Sequence, residues 1–181
     1  VGGVWLVGAI HRTLMRESRL AREDSLTRLP NRREFHDRGR QVFAQAQRQG
    51  APFTAVFIDL DRFKEINDTR GHEVGYQLLK AVADVMLKHV RASDIPGRLG
   101  GDEFALLLPN MKADAASAYV KDLRHRLLDA MHAQRWPVTF SIGVASYRQT
   151  PQDFDALLKQ ADALMYEVKR GSRDSVLLHE Y

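Results

Sequence analysis

The chain contains no cysteine, which excludes a disulfide scaffold and any thiolate metal site and is compatible with a reducing compartment. The apolar opening, VGGVWLVGAI at residues 1–10, is too short to span a bilayer. Its basic neighbours, His11, Arg12 and Arg16, follow the apolar run instead of preceding it, which argues against a signal peptide. Two readings of this segment stay open. One is the last turns of a membrane helix with its basic flank in the cytoplasm. The other is the start of a soluble linker helix that packs in a dimer. The first residue is Val1, not methionine, so a fragment of a longer protein is expected. Neither a P-loop nor a dinucleotide fingerprint is present, so any phosphate site must be built another way. No basic stripe is interleaved with aromatics, which argues against a nucleic-acid partner. Internal repeats and low-complexity segments are also missing.

What is present is ordinary in bulk. With 181 residues, 44% of them hydrophobic and 28% charged, the chain suffices for one globular domain with a core and a short appendage. A formal charge of +4 suits a nucleotide or another anionic ligand. Residues 9–23 read as a connecting helix, and the domain proper is expected to start near Asp24, giving a linker at 1–23 and a domain at 24–181. Helical spacing is found over 33–49, 73–90, 114–131 and 153–169. The apolar runs at 53–58 and 103–108 predict strands, the first covered on both faces. Val138, Phe140, Ile142 and Val144 alternate as in a strand, and a short strand is expected at 175–179. Strands and helices mix without strict alternation, which predicts an α/β sandwich around a mostly antiparallel sheet.

Two places carry chemistry. In FIDLD an apolar strand runs into Asp59 and Asp61, carboxylates that are costly to desolvate unless they meet cations. In RLGGDEFALLL, Gly100 and Gly101 predict a tight turn between two strands, followed at once by Asp102 and Glu103. Glycines let a backbone approach a phosphate closely, yet acidic neighbours oppose an anion. A divalent cation resolves the conflict, because magnesium takes one or two carboxylates and shares its other positions with substrate phosphates. The plainer alternatives are a hairpin turn and solvated strand-end caps.

GGDEF at 100–104 resembles the signature of the GGDEF family of diguanylate cyclases. Three further strings resemble family motifs in the same order: DSLTRLPNRR (24–33), DLDRFKEINDTRGHEVG (59–75) and ADALMYEVKRGSRD (161–174). The resemblance implies a five-stranded sheet wrapped by helices, as in nucleotidyl cyclase and polymerase palm domains. It implies that two GTP molecules are joined into cyclic di-GMP with loss of pyrophosphate, by two domains face to face in a homodimer. It also implies an upstream sensor domain, and a cytoplasmic setting whose anchorage to an inner membrane depends on residues 1–10.

Carried over residue by residue, Asp59, the backbone carbonyl of Leu60, and Asp102 or Glu103 would hold magnesium, or manganese in its place. The other member of that acidic pair would help deprotonate the attacking hydroxyl. Lys64, Lys169 and Arg173 resemble phosphate-contacting cations, with Gly100 and Gly101 beside them. Asn67 resembles a guanine-binding residue. His72 has either a substrate-proximal or a capping role. Where the family reads GHxxGD, this chain reads GHEVGY, so Tyr76 replaces a guanine-contacting carboxylate. Arg91 and Asp94 resemble the RxxD site through which cyclic di-GMP inhibits its own synthesis. The alternative function is a poorly active module that binds GTP or cyclic di-GMP and signals through its linker. No EAL motif of the opposing phosphodiesterase is present.

Overall fold

The computed structural model describes residues 22–181. The apolar opening and most of the expected linker helix lie outside the described residues. Arg22 and Glu23, expected at the end of that helix, instead belong to a closed loop. Glu23 bridges Pro30, and Asn31 N donates to Arg22 O at 2.9 Å.

The elements in chain order are α1 (Arg32–Gln49), β1 (Phe53–Asp61), α2 (Phe63–Arg70), α3 (His72–His89), β2 (Ile95–Gly100), β3 (Glu103–Pro109), α4 (Ala113–Ala133), β4 (Thr139–Tyr147), α5 (Phe154–Arg170) and β5 (Val176–Glu180). The strands form one sheet in the order β2-β3-β1-β4-β5. The β2–β3, β3–β1 and β1–β4 pairs are antiparallel, and β4–β5 is parallel. The mostly antiparallel sheet wrapped by helices is therefore present.

Strand β1 lies at the centre and is buried along its whole length. Its side chains alternate between two cores. Val56, Ile58 and Leu60 pack with Leu78, Leu79 and Val82 of α3 and with Leu123 and Leu127 of α4. Phe53, Ala55 and Phe57 pack with Phe35 and Phe43 of α1 and with Leu157 and Met165 of α5. That double cover is why FTAVFI reads as an unbroken apolar run.

Two differences from the sequence reading have local causes. Helix α2 was not expected. It is two turns long and buries only Ile66, so it carries almost no amphipathic signal. In β4 the alternating apolar residues face the first core as expected, but the intervening Ser141, Gly143 and Ala145 are buried too. Their smallness has a steric reason. A Cβ at Gly143 would stand 2.1 Å from Met165 N and 2.3 Å from Ala161 O, so the backbone of α5 lies directly on the strand.

The outer edge of β2 is covered by the segment that opens the domain. Arg98 N donates to Pro30 O at 3.0 Å, and Arg32 Nε donates to Leu99 O at 3.0 Å. Substituting Gly143→Ala drives a methyl group into rigid backbone and is expected to cost about 3 kcal/mol. Melting followed by circular dichroism should show a Tm lower by roughly 6–12 °C. A Tm within 2 °C of the parent, roughly the effect of under 1 kcal/mol, would mean that α5 gives way easily.

Candidate active site

Asp59 ends the apolar part of β1 and is only 3% exposed. Register places Glu103 of β3 on one side of it and Ser141 of β4 on the other. Residues directly opposite one another put their side chains on the same face. From the last turn of α5, Lys169 Nζ reaches Asp59 Oδ1 at 2.7 Å. Burial pushes the Asp59 carboxyl up to about 6 despite Lys169, and the charges of Asp102 and Glu103 add to the rise. Burial is the largest influence on Lys169 and would lower it, but its bond to Asp59 together with the charges of Asp59, Asp102 and Asp61 raises it. The two partners thus differ in balance, because the carboxylate has lost nearly all its water while the lysine side chain remains 35% exposed.

Asp61, two residues on, was expected to need a cation. It meets neutral donors instead: Thr139 Oγ1 at 2.8 Å, Ser141 Oγ at 2.7 Å and the Asp174 amide at 3.1 Å. Three hydrogen bonds satisfy this carboxylate in the fold, and it anchors the loop after α5.

The turn between β2 and β3 is glycine-dependent, with Gly100 at φ 145° and Gly101 at φ 48°. Open space surrounds both, so a ligand backbone or phosphate has room to approach. Asp102 O accepts from the Leu60 amide at 3.3 Å, which ties the turn to β1. A residue with no assigned role in the sequence reading fixes the other side. Arg98 donates through Nε and Nη2 to Gly101 O at 3.1 and 2.7 Å, and through Nη1 to Asp24 Oδ1 at 3.0 Å. Burial alone would raise Asp24, yet Thr27 and Arg98 hold its carboxyl below the usual carboxylate range. Arg32 Nη2 approaches Glu103 Oε2 at 4.0 Å. The signal for Arg98 was its place within RLGGDEF. Its partner stands 74 residues away, beyond any local pattern.

Asn67, His72 and Tyr76 lie near the junction of α2 and α3, and Lys64 stands in the first turn of α2. The Asn67 carboxamide lies over Gly75, its Oδ1 2.0 Å from where a side-chain carbon would stand. Tyr76 is the next residue and is 48% exposed. Lys64 and His72 are exposed as well and make no hydrogen bond or ion pair among the described residues. After α5, Arg173 is exposed at φ 55°, beside Asp174 at φ 44°.

Arg91 and Asp94 stand at the other end of β2 from the glycine turn, about 17 Å away along the strand. The Asp94 side chain is fully buried and occupied. Arg91 donates to it from N at 2.8 Å, Nε at 3.0 Å and Nη2 at 2.6 Å, and Tyr119 OH donates at 3.1 Å. The Asp94 bond raises Arg91 further, and burial together with Asp94 raises the Tyr119 phenol. Arg91 itself is 42% exposed. A cavity of about 340 Å³ opens beside this pair, lined by Arg38, Gln41 and Gln45 of α1 and by Ala92 and Ser93.

No group of three or more His, Asp or Glu side chains forms a ready metal cage among the described residues. The donors present still fit a small hard cation. They are all oxygens, led by a desolvated carboxylate beside a turn bearing two more, and magnesium commonly takes one or two carboxylates and completes its shell with substrate. No described helix is long and apolar enough to cross a membrane.

The family model described as diguanylate cyclase, GGDEF domain, matches residues 21–175. The chain is 39% identical over 163 residues to the bifunctional diguanylate cyclase/cyclic di-GMP phosphodiesterase MucR of Pseudomonas aeruginosa, covering 89% of this chain and 24% of that protein. It is 36% identical over 159 residues to diguanylate cyclase DosC of Escherichia coli, covering 86% and 34%. The chain thus spans between a quarter and about a third of these relatives. The crystal structure of the coiled coil and GGDEF domain of DgcB from Caulobacter crescentus, in complex with c-di-GMP, superposes with a TM-score of 0.86 at 27% identity, covering 97% of this chain and 95% of that one.

Because Asp59 is raised, the folded state binds its proton more tightly than the unfolded chain. The associated stability is full below pH 3.8 and is lost as pH rises through about 6. The span from 3.8 to about 6 is worth about 3 kcal/mol. Asp59→Asn removes that cost but leaves Lys169 unpaired, so a net gain of about 1–2 kcal/mol is expected at pH 7.5, or roughly 3–6 °C in Tm. The gain should vanish by pH 4. Thermal melts at both pH values test this, and a gain of equal size at pH 4 would contradict it.

Proposed function

The chain belongs to the GGDEF family of diguanylate cyclases, and from that membership we propose that it condenses two molecules of GTP into cyclic di-GMP and releases pyrophosphate. The observation that carries this reading is the meeting of Asp59, the Asp102–Glu103 turn and Lys169 at one end of the sheet. The 3′-oxygen of one GTP attacks the α-phosphorus of the other. An oxygen–phosphorus bond forms there as the bond to the bridging oxygen breaks, and pyrophosphate leaves with that electron pair. The hydroxyl proton passes to a carboxylate of the Asp102–Glu103 pair. A second transfer in the opposite sense closes the ring. Each domain holds one GTP, so the working unit is a homodimer.

Asp59, the Leu60 carbonyl and the acidic pair would hold magnesium, or manganese in its place. When bound, that cation offsets charge on the attacking and leaving oxygens. The raised carboxyl of Asp59 is consistent with a group built to face positive charge. Lys169, Arg173 and Lys64 meet the phosphates, the Gly100–Gly101 turn lets backbone come close, and His72 lies near the substrate. Asn67 and Tyr76 face the guanine from the α2–α3 junction. Arg91, held by Asp94 and Tyr119 beside the cavity against α1, receives cyclic di-GMP and gives product inhibition. Residues 1–23 serve as the linker to an upstream sensor in the longer protein, and residues 24–181 as a cytoplasmic catalytic domain. A dimeric preparation with GTP and magnesium should yield cyclic di-GMP on chromatography, and Asp59→Asn should lower the rate on the order of a thousandfold, the several kcal/mol a metal site supplies. A well-folded dimer that makes no cyclic dinucleotide at saturating GTP would replace this reading with that of a nucleotide-binding module.

Tyr76 is the observation that favours the module. A carboxylate accepts two hydrogen bonds from guanine, whereas a phenol offers one oxygen. Exposed as it is, Tyr76 leaves guanine recognition weaker and the Asp59 chemistry intact. Restoring the carboxylate with Tyr76→Asp should raise the preference for GTP over ATP about tenfold to a hundredfold, the scale of one bond to a charged group. The change should appear chiefly in KM, because the base is remote from the reacting phosphorus. Steady-state kinetics with both nucleotides decide, and an unchanged preference would remove Tyr76 from the base site.

A further inference from the structure

The loop between α5 and β5 takes an unusual path. Arg173 at φ 55° and Asp174 at φ 44° are consecutive non-glycine residues in the left-handed region, which L-residues avoid. Such a conformation persists only where surrounding contacts impose it. Arg173 N donates to Val168 O at 2.9 Å, and Ser175 O accepts from Ile142 N at 3.0 Å. The Asp174 amide donates to Asp61 Oδ2 at 3.1 Å. The remaining contact comes from a distance. Arg124 of α4 donates through Nη2 to Asp174 O at 2.7 Å and to Asp174 Oδ1 at 2.5 Å.

Helix α4 packs on one face of the sheet and α5 on the other. Arg124 therefore reaches from its own layer to a loop that follows the helix of the opposite layer. Its side chain is only 20% exposed, and its Nε is buried without a partner among the described residues. An unmet buried donor lowers stability, so Arg124 is a poor choice if stability alone is at stake. What it does hold is the backbone on which Arg173 rides. Asp61 fixes the same loop to β1 two residues beyond Asp59, so the grip sets where Arg173 stands relative to Asp59 and Lys169. The Arg173 side chain is exposed and makes no ion pair among the described residues, which leaves its guanidinium available to an anion.

We infer that Arg124 is a positioning residue: by clamping Asp174 it holds Arg173 in the left-handed loop where that guanidinium meets the phosphates of the bound nucleotide. The inference rests on the reading of this site as a GTP site. Arg124 touches no substrate itself and acts only through Arg173.

The test is a double-mutant cycle on the full chain, read by calorimetry with a non-reacting α,β-methylene analogue of GTP and by steady-state kinetics. Arg124→Met is expected to weaken analogue binding and raise KM about tenfold, with kcat within about threefold of the parent, the scale of one charge-assisted contact. Arg173→Ala should weaken analogue binding at least as much, and the double variant should bind no worse than Arg173→Ala alone. Asp174→Asn keeps the backbone acceptor and tolerates the left-handed region, so it should fold even if Arg124→Met does not. It is expected to weaken binding in the same direction by a smaller factor. Multiplying effects in the double variant, or unchanged binding in Asp174→Asn and Arg124→Met, would overturn the role of Arg124 while leaving the GTP site standing. A parent chain that bound no analogue would overturn both.

Discussion

A carboxylate almost stripped of water, at the end of a strand covered on both faces, is the constraint around which this domain is arranged. Asp59 shares its face with Phe57, and the strand that carries it is the centre of the sheet. Placing a charge there is unfavourable by itself, and the fold answers with Lys169 from α5. The close seat of α5 on Gly143 brings that lysine within reach. Small residues on one face of β4, a bare glycine under a helix and a raised carboxyl are thus parts of one arrangement. A site prepared in this way favours whatever brings positive charge to Asp59, which is the requirement of phosphoryl transfer between nucleotides.

Much of this was legible in the sequence because the informative features are local. Apolar runs ending in aspartates, two glycines before an acidic pair, and helical stripes are patterns of a few residues. They gave the sandwich and the sheet type, and they singled out the acidic residues that meet around Asp59. Helix α2 escaped because two turns that bury one side chain leave no periodicity. Asp61 was misjudged for a related reason. It is a short acidic side chain whose partners, two hydroxyls and an amide, come from elsewhere in the fold. Composition says that a carboxylate needs a partner, but only tertiary structure says whether the partner is a cation, a ligand or the protein itself. Arg98 and Arg124 show the same limit from the basic side.

The segment at the start of the domain joins this architecture to whatever precedes it. Asp24 is tied through the Arg98 guanidinium to the carbonyl of Gly101, and Asp102 is tied in turn to the amide of Leu60. Three contacts thus lead from the beginning of the domain to the strand that bears Asp59. The same segment closes the free edge of β2, so it protects the sheet from pairing with another chain as well as bracing the turn.

The strand order also governs how the domain assembles as it is made. Strand β1 is flanked in the sheet by β3 and β4, and β4 is the later of the two in the chain. Roughly 80 residues separate the end of β1 from β4, an interval of about 4–16 s at ordinary rates of protein synthesis. During that interval the central strand, buried along its whole length, has at most one neighbour, and the β2–β3 hairpin is the partner that emerges first. The glycine turn in that hairpin is therefore synthesised well before α5, the helix that brings Lys169 to Asp59.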